Sequence, residues 1–294
     1  MGRSTTRIVC TVAGVLATSW SGTYLKAEQA EPANQLVRDV VYNELRDHQT
    51  HGFWRYWIQQ LANRDTKLEE EVETADGPVT RVVRSNNMPL DPHRQREEQA
   101  KLEKLASSPE ELASHRQAYE EDEKHISLVM AMLPDAYVFE YAGEENGCHH
   151  LRYRPNPSYA PRTIEARVLH AMTGDLWINA HSKRMARLDG RLDDNVDFGF
   201  GLLGRLEKGG WFRMQRIQVS TTEWKTERLD VHLSGRAVLF KSICRETSEL
   251  RGGFVSVPAG ISLAEGIRIL DQTDPKSPPV ATASVTPVSF NKRR

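Results

Sequence analysis

The chain has 294 residues, of which 39% are hydrophobic, and its 39 lysines and arginines nearly balance its 40 aspartates and glutamates. A net charge of −1 gives no overall basic field, so nucleic acid is not an expected partner. A chain of this length can bury a core large enough to fold without disulfides or metals.

Residues 1–27 have the features of a secretory signal. Arg3 and Arg7 precede an apolar run from Ile8 to Trp20, and small and polar residues follow this run. The run is shorter than the roughly 20 apolar residues of a transmembrane helix, so we expect no stable membrane span after signal removal. An uncleaved anchor is the alternative. The segment predicts a periplasmic or secreted protein.

An amphipathic helix and an aromatic strand follow the signal. From Pro32 to Gln49, apolar residues recur at intervals of three and four, which is typical of a helix with one buried face. The dense aromatic run at 53–58 predicts a strand that is covered on both faces. Residues 66–85 predict a hairpin whose turn is at 76–78.

A helical insertion is predicted at 91–133. Asp91 before a proline and Ser108 before a Glu at capping-box spacing each predict a helix start. The second helix ends in an apolar segment, 126–133, which must be buried. We expect the two helices to cover one face of a sheet and to leave their charged sides in water.

The rest of the chain reads as strands joined by turns, without crossover helices. The predicted strands are 136–143, 149–154, 164–172, 174–180, 184–192, 195–201, 211–220, 222–233, 235–250 and 253–258. Residues 152–162 carry three prolines and predict an extended loop or a sheet edge, and the glycine-rich 198–211 predicts a loop. Residues 262–270 predict a closing helix capped by Ser262, and 272–294 a disordered tail. A large antiparallel meander is the expected topology.

Motifs of catalysis and metal binding are not evident in the sequence. It contains no nucleophile elbow, phosphate-binding loop, HExxH motif or dinucleotide fingerprint. Cys148, His149 and His150 are three neighbours that cannot all point at one ion. We therefore predict a protein that is not an enzyme and has no cofactor and no metal. Glu140, Glu144, Glu145 and His149 could form an acid–base cluster, but nothing in the sequence brings them together.

Two cysteines, Cys148 and Cys244, remain after signal removal. In an oxidising compartment they could form a disulfide. Such a disulfide would close a loop of 96 residues and, in the chain-entropy model, contribute about 4 to 5 kcal/mol to stability. Two free or buried thiols are the equally open alternative.

Several aromatic residues are candidates for a ligand-binding surface. For each of them the ordinary explanation is a place in the sheet core. Together, on a curved sheet closed by an apolar helix, they predict an apolar cavity. We expect Trp177 and Trp211 to be among the more buried residues. The candidate ligand-binding residues are Trp54, Tyr56, Met130, Phe139, Trp177, Trp211, Trp224 and Phe240.

The order of these elements resembles the periplasmic lipoprotein-carrier superfamily, whose known members include LolA, LolB and RseB. Segments 172–190 and 198–215 are also similar to uncharacterised secreted proteins of acidobacterial type. The resemblance implies an α+β fold with a large curved antiparallel sheet, an unclosed half-barrel whose concave face is covered by helices. It implies a single domain at 32–271 with the insertion 91–133, and a cavity for acyl chains. No functional residue of the superfamily can be matched to this chain.

The function expected from the sequence is that of a soluble periplasmic binding protein. Its half-barrel cavity would hold lipid, acyl chains or another apolar ligand, and a lipoprotein or another envelope protein could be a partner. The alternative is an interaction or sensory module of the envelope, in which the protein's own helices fill the cavity. An enzyme is the least favoured hypothesis, and it would require a cleft with an oriented acid–base pair.

Overall fold

The computed structural model describes residues 31–273 apart from 51, 63, 199–203 and 238–240; at 48–50, 237 and 241–245 it describes the backbone only. The predicted signal, the predicted tail beyond residue 273 and Phe240 lie outside the described residues. The described residues from Pro32 onward belong to one compact unit. None of the described helices is long and apolar enough to cross a membrane.

One antiparallel sheet of thirteen strands dominates the described chain. Its order is β4-β3-β2-β1-β13-β12-β11-β8-β7-β6-β5, and the short β9 and β10 branch from β12. The end strands β4 and β5 do not pair with each other, so the sheet is not closed into a barrel. The strands are β1 Phe53–Ala62, β2 Asp65–Val72, β3 Val79–Ser85, β4 Met88–Pro89, β5 Tyr137–Glu145, β6 Cys148–Pro155, β7 Met172–Asn179, β8 Arg184–Leu192, β9 Val196–Phe198, β10 Gly204–Leu206, β11 Trp211–Gln218, β12 Trp224–Ala237 and β13 Lys241–Val257.

Five helices accompany the sheet: α1 Ala33–Thr50, α2 Pro92–Ser107, α3 Pro109–Ala136, α4 Ile164–His170 and α5 Leu263–Gln272. The three predicted caps are confirmed. Asp91 accepts hydrogen bonds from the backbone of the first turn of α2, and Ser108 does so at the start of α3. Ser262 forms a complete capping box with Glu265 at the start of α5. These caps satisfy backbone donors that a helix start leaves unpaired.

Some predicted elements differ from the structure. Residues 164–172 were expected as a strand, but most of them form α4, which begins after Thr163, whose side chain accepts a hydrogen bond from the backbone of Ala166. Helix α3 continues through Pro134, where we expected it to stop. The predicted strand 235–250 is divided between the end of β12 and the start of β13. The α+β class and the large unclosed antiparallel sheet are confirmed.

Helices pack on both faces of the sheet, at different places. We call the face that carries Tyr56, Met185 and Met214 the inner face; α1 and the end of α3 cover it. In addition, α2, α5 and the start of α3 pack against Val72 and Val79. Val72 follows Glu71, the cross-strand partner of Tyr56, so it points to the opposite, outer face. Helix α3 is 28 residues or about 42 Å long. It therefore reaches from the side chains packed on the outer face to those packed on the inner face.

Candidate ligand-binding cavity

An apolar chamber lies between α1, the end of α3 and the inner face. Its volume is about 200 Å³, and the side chains that line it are aliphatic, aromatic or methionine. Val37 and Val40 enter it from α1 because the spacing of the apolar residues in that helix places them on one side. The other lining residues are Val41, Val129, Met130, Leu133, Tyr137, Phe139, Tyr153, Leu169, Met172, Leu176, Met185, Leu188 and Phe212.

A second space, the polar cleft, adjoins the apolar chamber. Its volume is about 420 Å³, and residues of α1, α3 and the strands β1, β2 and β11–β13 line it. Met130 and Met185 line both spaces, so they form the junction between chamber and cleft. Methionine is unbranched and flexible, which allows a junction of this kind to open without moving the backbone.

The wall of the cleft next to α1 is held by a buried ion cluster. Glu44 accepts hydrogen bonds from Arg184 Nε at 3.2 Å and Nη2 at 3.0 Å, and from the backbone of Met185 at 2.9 Å. Arg216 Nη1 lies 2.6 Å from Glu44 Oε2, and Asp47 also accepts from Arg184. These bonds tie α1 to β8 and β11. A buried carboxylate with this many donors is fully compensated.

The opposite wall of the cleft carries a second set of occupied carboxylates. The Tyr56 hydroxyl donates to Glu71, and the Thr80 hydroxyl donates to the other oxygen of Glu71 at 3.1 Å. Lys225 Nζ donates to both oxygens of Glu73 at 2.7 and 2.8 Å. Burial, and then the charges of Glu71 and Glu73, raise the pKa of Tyr56 well above 10, so this hydroxyl stays protonated and acts as a donor.

Chamber and cleft together suit a ligand with two unlike parts. The chamber can take an apolar group, because its lining is apolar apart from the hydroxyl groups of Tyr137 and Tyr153. The cleft can take a polar group, because charged side chains line it beside Tyr56, Tyr119 and Trp224. Ligand pockets in proteins typically have volumes of about 300 to 1,000 Å³, and the cleft falls within that range. No group of three or more metal-binding side chains occurs in the part of the chain that the structure describes.

Four of the predicted ligand-binding residues line this cavity. Tyr56 and Trp224 line the cleft, Met130 lines both spaces, and Phe139 lines the chamber. Trp54 packs beside Tyr56, and its indole donates to Glu223 at 2.7 Å. Phe240 lies outside the described residues.

Trp177 and Trp211 do not line the cavity. Both side chains lie on the outer face and are partly exposed, whereas we expected them among the more buried residues. Trp177 is enclosed between His150, stacked at 4.5 Å between ring centroids, and the guanidinium of Arg187 at 4.2 Å. Alternation along β7 explains this placement, because its neighbours Leu176 and Ile178 occupy the inner face.

The contributions of α1, Met185 and Met214 to the cavity were not predicted from the sequence. The spacing of valines in α1 indicated a buried face but not what it covers. The ion cluster was not found either, because Glu44 is 140 residues away from Arg184 in the chain.

Of the two alternatives for the cysteines, the structure favours unpaired thiols. Cys148 is a free cysteine at the start of β6. The backbone of Cys244 pairs with β12, and four strands lie between β13 and β6. This corresponds to about 24 Å along the sheet, whereas the Cα atoms of a disulfide lie within about 7 Å of each other.

Comparison with known proteins reveals similarity of fold only. No family model matches the sequence, and no curated protein matches it significantly. A crystal structure of a DUF1329 family protein from Desulfovibrio piger is similar at a TM-score of 0.31 and 10% identity, over 79% of this chain and 96% of that chain. A crystal structure of MucB in complex with MucA(peri) is similar at a TM-score of 0.23 and 8% identity, over 74% of this chain and 94% of that chain. At these values the similarity supports no conclusion about ligand or partner.

Proposed function

We propose that this protein is a binding protein that holds the apolar part of a lipid, acyl chain or similar molecule in the apolar chamber. The observation that carries the proposal is the chamber itself, which lies behind the polar cleft and shares Met130 and Met185 with it. A chamber of about 200 Å³ is larger than the roughly 150 Å³ cavity that is known to stay dry and to bind benzene.

Helix α3 would act as the cover of this site. Its apolar end contributes Met130 and Leu133 to the chamber wall, while Ile126 and Leu128 are about half exposed. A small displacement of this helix end would exchange contacts with the protein for contacts with a ligand, so the two states can differ by few kcal/mol. The proposed location is the periplasm or the cell exterior, and it rests on the signal predicted at residues 1–27.

Native mass spectrometry of protein purified from a periplasm, followed by organic extraction, tests the proposal. Wild type should carry a bound mass that extraction releases as an acyl lipid. Met130→Trp fills the junction and should remove this mass, whereas Leu128→Trp, on the exposed side of the same helix, should retain it. A wild-type mass without ligand, unchanged after incubation with phospholipid vesicles and acylated peptides, would contradict the proposal.

A second candidate function is that of a protein-interaction module. The observation that favours it is the edge strand β5, which among the described strands pairs with β6 alone and whose residues 140–145 are all exposed. Exposed edge strands can pair with a strand of another protein. Ala142→Lys should then abolish the copurification of one defined partner protein and leave the ligand mass unchanged. Retention of every copurifying protein would count against this function.

A further inference from the structure

The outer face contains a trough that is larger than either part of the inner cavity. Its volume is about 740 Å³, within the range of small-molecule sites. It crosses strands β5, β6, β7, β8 and β11, and we call it the outer trough. Tyr153 and Phe212 line both the outer trough and the apolar chamber, so these two side chains separate the two spaces.

The floor of the outer trough is built on two paired glycines. Gly174 and Gly190 are opposite each other in β7 and β8, between Tyr153 and Phe212 of the adjoining strands. A Cβ on Gly174 would collide with the carbonyl oxygen of Asp189 and would lie 2.6 Å from the Tyr153 hydroxyl. The close approach of these strands therefore requires glycine. The Tyr153 hydroxyl donates to the Asp189 carbonyl at 2.8 Å and fixes the floor.

The walls of the outer trough carry guanidinium groups whose donors are mostly unused. Arg152 makes one ion contact among the described residues, from Nε to Asp175 at 3.8 Å, which is too long for a hydrogen bond. Arg191 contacts Asp193 through one nitrogen at 2.8 Å. Each guanidinium has five N–H donors, and these two side chains are 75% and 66% exposed, so most donors face solvent.

Three carboxylates line the outer trough, and each contacts an arginine or a histidine; the most exposed of them, Glu140, lies 3.2 Å from Arg154. Asp189 is 17% exposed and accepts from Arg187 Nε at 2.9 Å and from Arg213 Nε at 3.2 Å. Asp175 lies 2.7 Å from His150 Nε2. An anionic ligand can therefore bind through the solvent-facing donors of Arg152 and Arg191 without displacing a carboxylate from a hydrogen bond.

An aromatic side chain lies at the β11 end of the outer trough. Trp211 is directly opposite Arg191 in the neighbouring strand. Its ring stacks on His232, with centroids 6.1 Å apart and planes 16° apart, and this contact fixes the orientation of the indole. A planar or apolar part of a ligand can pack against such a ring while its charged part contacts the guanidiniums.

We propose that the outer trough is a second binding site, beside the inner cavity, for a small organic anion. Arg152 and Arg191 would bind its carboxylate or phosphate group, and Trp211 would contact its planar or apolar part. Carboxylate and phosphate groups both form charge-assisted hydrogen bonds with arginine. The test therefore uses one probe molecule of each kind.

The test uses the indole N–H resonances of the full chain in ¹⁵N NMR spectra, with the Trp211 resonance assigned from Trp211→Phe. Phenyl phosphate and benzoate are titrated separately, and benzyl alcohol serves as the neutral analogue. At least one anion should shift the Trp211 resonance saturably, and benzyl alcohol should bind about tenfold more weakly or not at all.

Arginine variants give the matched comparison. Arg152→Gln with Arg191→Gln should weaken binding of the anion about tenfold or more. Arg236→Gln with Arg268→Gln removes two arginines that are 64% and 67% exposed elsewhere and should leave binding unchanged. The proposal is overturned if neither anion shifts Trp211, if benzyl alcohol binds as tightly, if both double variants lose equal affinity, or if only Trp54 and Trp224 respond.

Discussion

The inner cavity and the outer trough both contain arginine–carboxylate pairs, but these pairs have opposite surroundings. In the inner cavity, the side chains of Arg184 and Glu44 are 9% and 8% exposed. In the outer trough, those of Arg154 and Glu140 are 54% and 65% exposed. Water can replace either partner in the exposed pair, whereas a buried charge that loses its partner stays uncompensated. The pairs of Glu44 are therefore structural, whereas the exposed arginines of the outer trough can exchange a protein carboxylate for a ligand.

Removing one buried partner should produce the largest loss of stability. Glu44→Ala leaves Arg184 and Arg216 without their shared carboxylate, and we expect the free energy of unfolding to fall by about 3 to 5 kcal/mol. Urea unfolding measures this loss. Glu140→Ala is the matched exposed control, and it should change stability by less than about 1 kcal/mol. Equal losses in the two variants would contradict the distinction between inner and outer pairs.

The glycine floor of the outer trough should be the next most sensitive feature. Gly174→Ala should cost about 1 to 3 kcal/mol, because its Cβ meets a backbone oxygen that cannot rotate away. Gly190→Ala should cost less, since its Cβ meets mainly the ring of Phe212, which can move. Thermal and urea unfolding of both variants check this order. The reverse order would show that the strands at Gly174 can separate.

The helix caps should have smaller effects. Ser262→Ala removes the capping box of α5, and we expect a loss of about 1 kcal/mol in the free energy of unfolding. Ser256→Ala, at an exposed position in β13, is the control and should be nearly neutral. A neutral Ser262→Ala would mean that packing of Leu263, Ile267 and Leu270 alone positions the helix.

The smallest expected effect concerns pH. Burial raises the pKa of the Glu69 carboxyl, with a further contribution from Glu71, so the folded state favours its protonated form. The contribution of the Glu69 carboxyl to the free energy of unfolding is therefore present at low pH. It is lost as the pH rises through the pKa that this carboxyl has in the folded state. Glu69→Gln should be slightly more stable than wild type at pH 7, and the difference should shrink towards pH 4. A difference that grows as pH falls would contradict this assignment.

The sequence predicted the local elements better than their contacts. Strand alternation and turn residues predicted most of the sheet, and Asp91, Ser108 and Ser262 located three helix starts. Helix α4 was missed because Ile164, Ala166 and Val168 alternate as in a strand; the cap at Thr163 was the available signal. The continuation of α3 through Pro134 depends on packing against α1, which local propensity does not report.

The candidate sites could be predicted only in part. Tyr56, Phe139, Trp224 and Met130 were identified from their residue type and the expected strand or helix. Side chains alternate between the two faces along a strand, and this alternation places Trp177 and Trp211 on the face opposite the cavity. The sequence does not indicate which of the two faces is the inner one. The glycine pair of the outer trough, the Glu44 cluster and the distance between the two cysteines all depend on strand order, which is a long-range property of the chain.

The most direct test of the inner cavity is methyl NMR of protein labelled at the methionine methyl groups, titrated with dodecanoate below its micelle concentration. Met130 and Met185 line the junction of chamber and cleft, whereas Met88 is 68% exposed on β4 and serves as an internal control. We expect saturable shifts of the Met130 and Met185 methyl resonances with Met88 unchanged. Unchanged Met130 and Met185 resonances, or an equal shift of Met88, would contradict the claim that the cavity binds apolar chains.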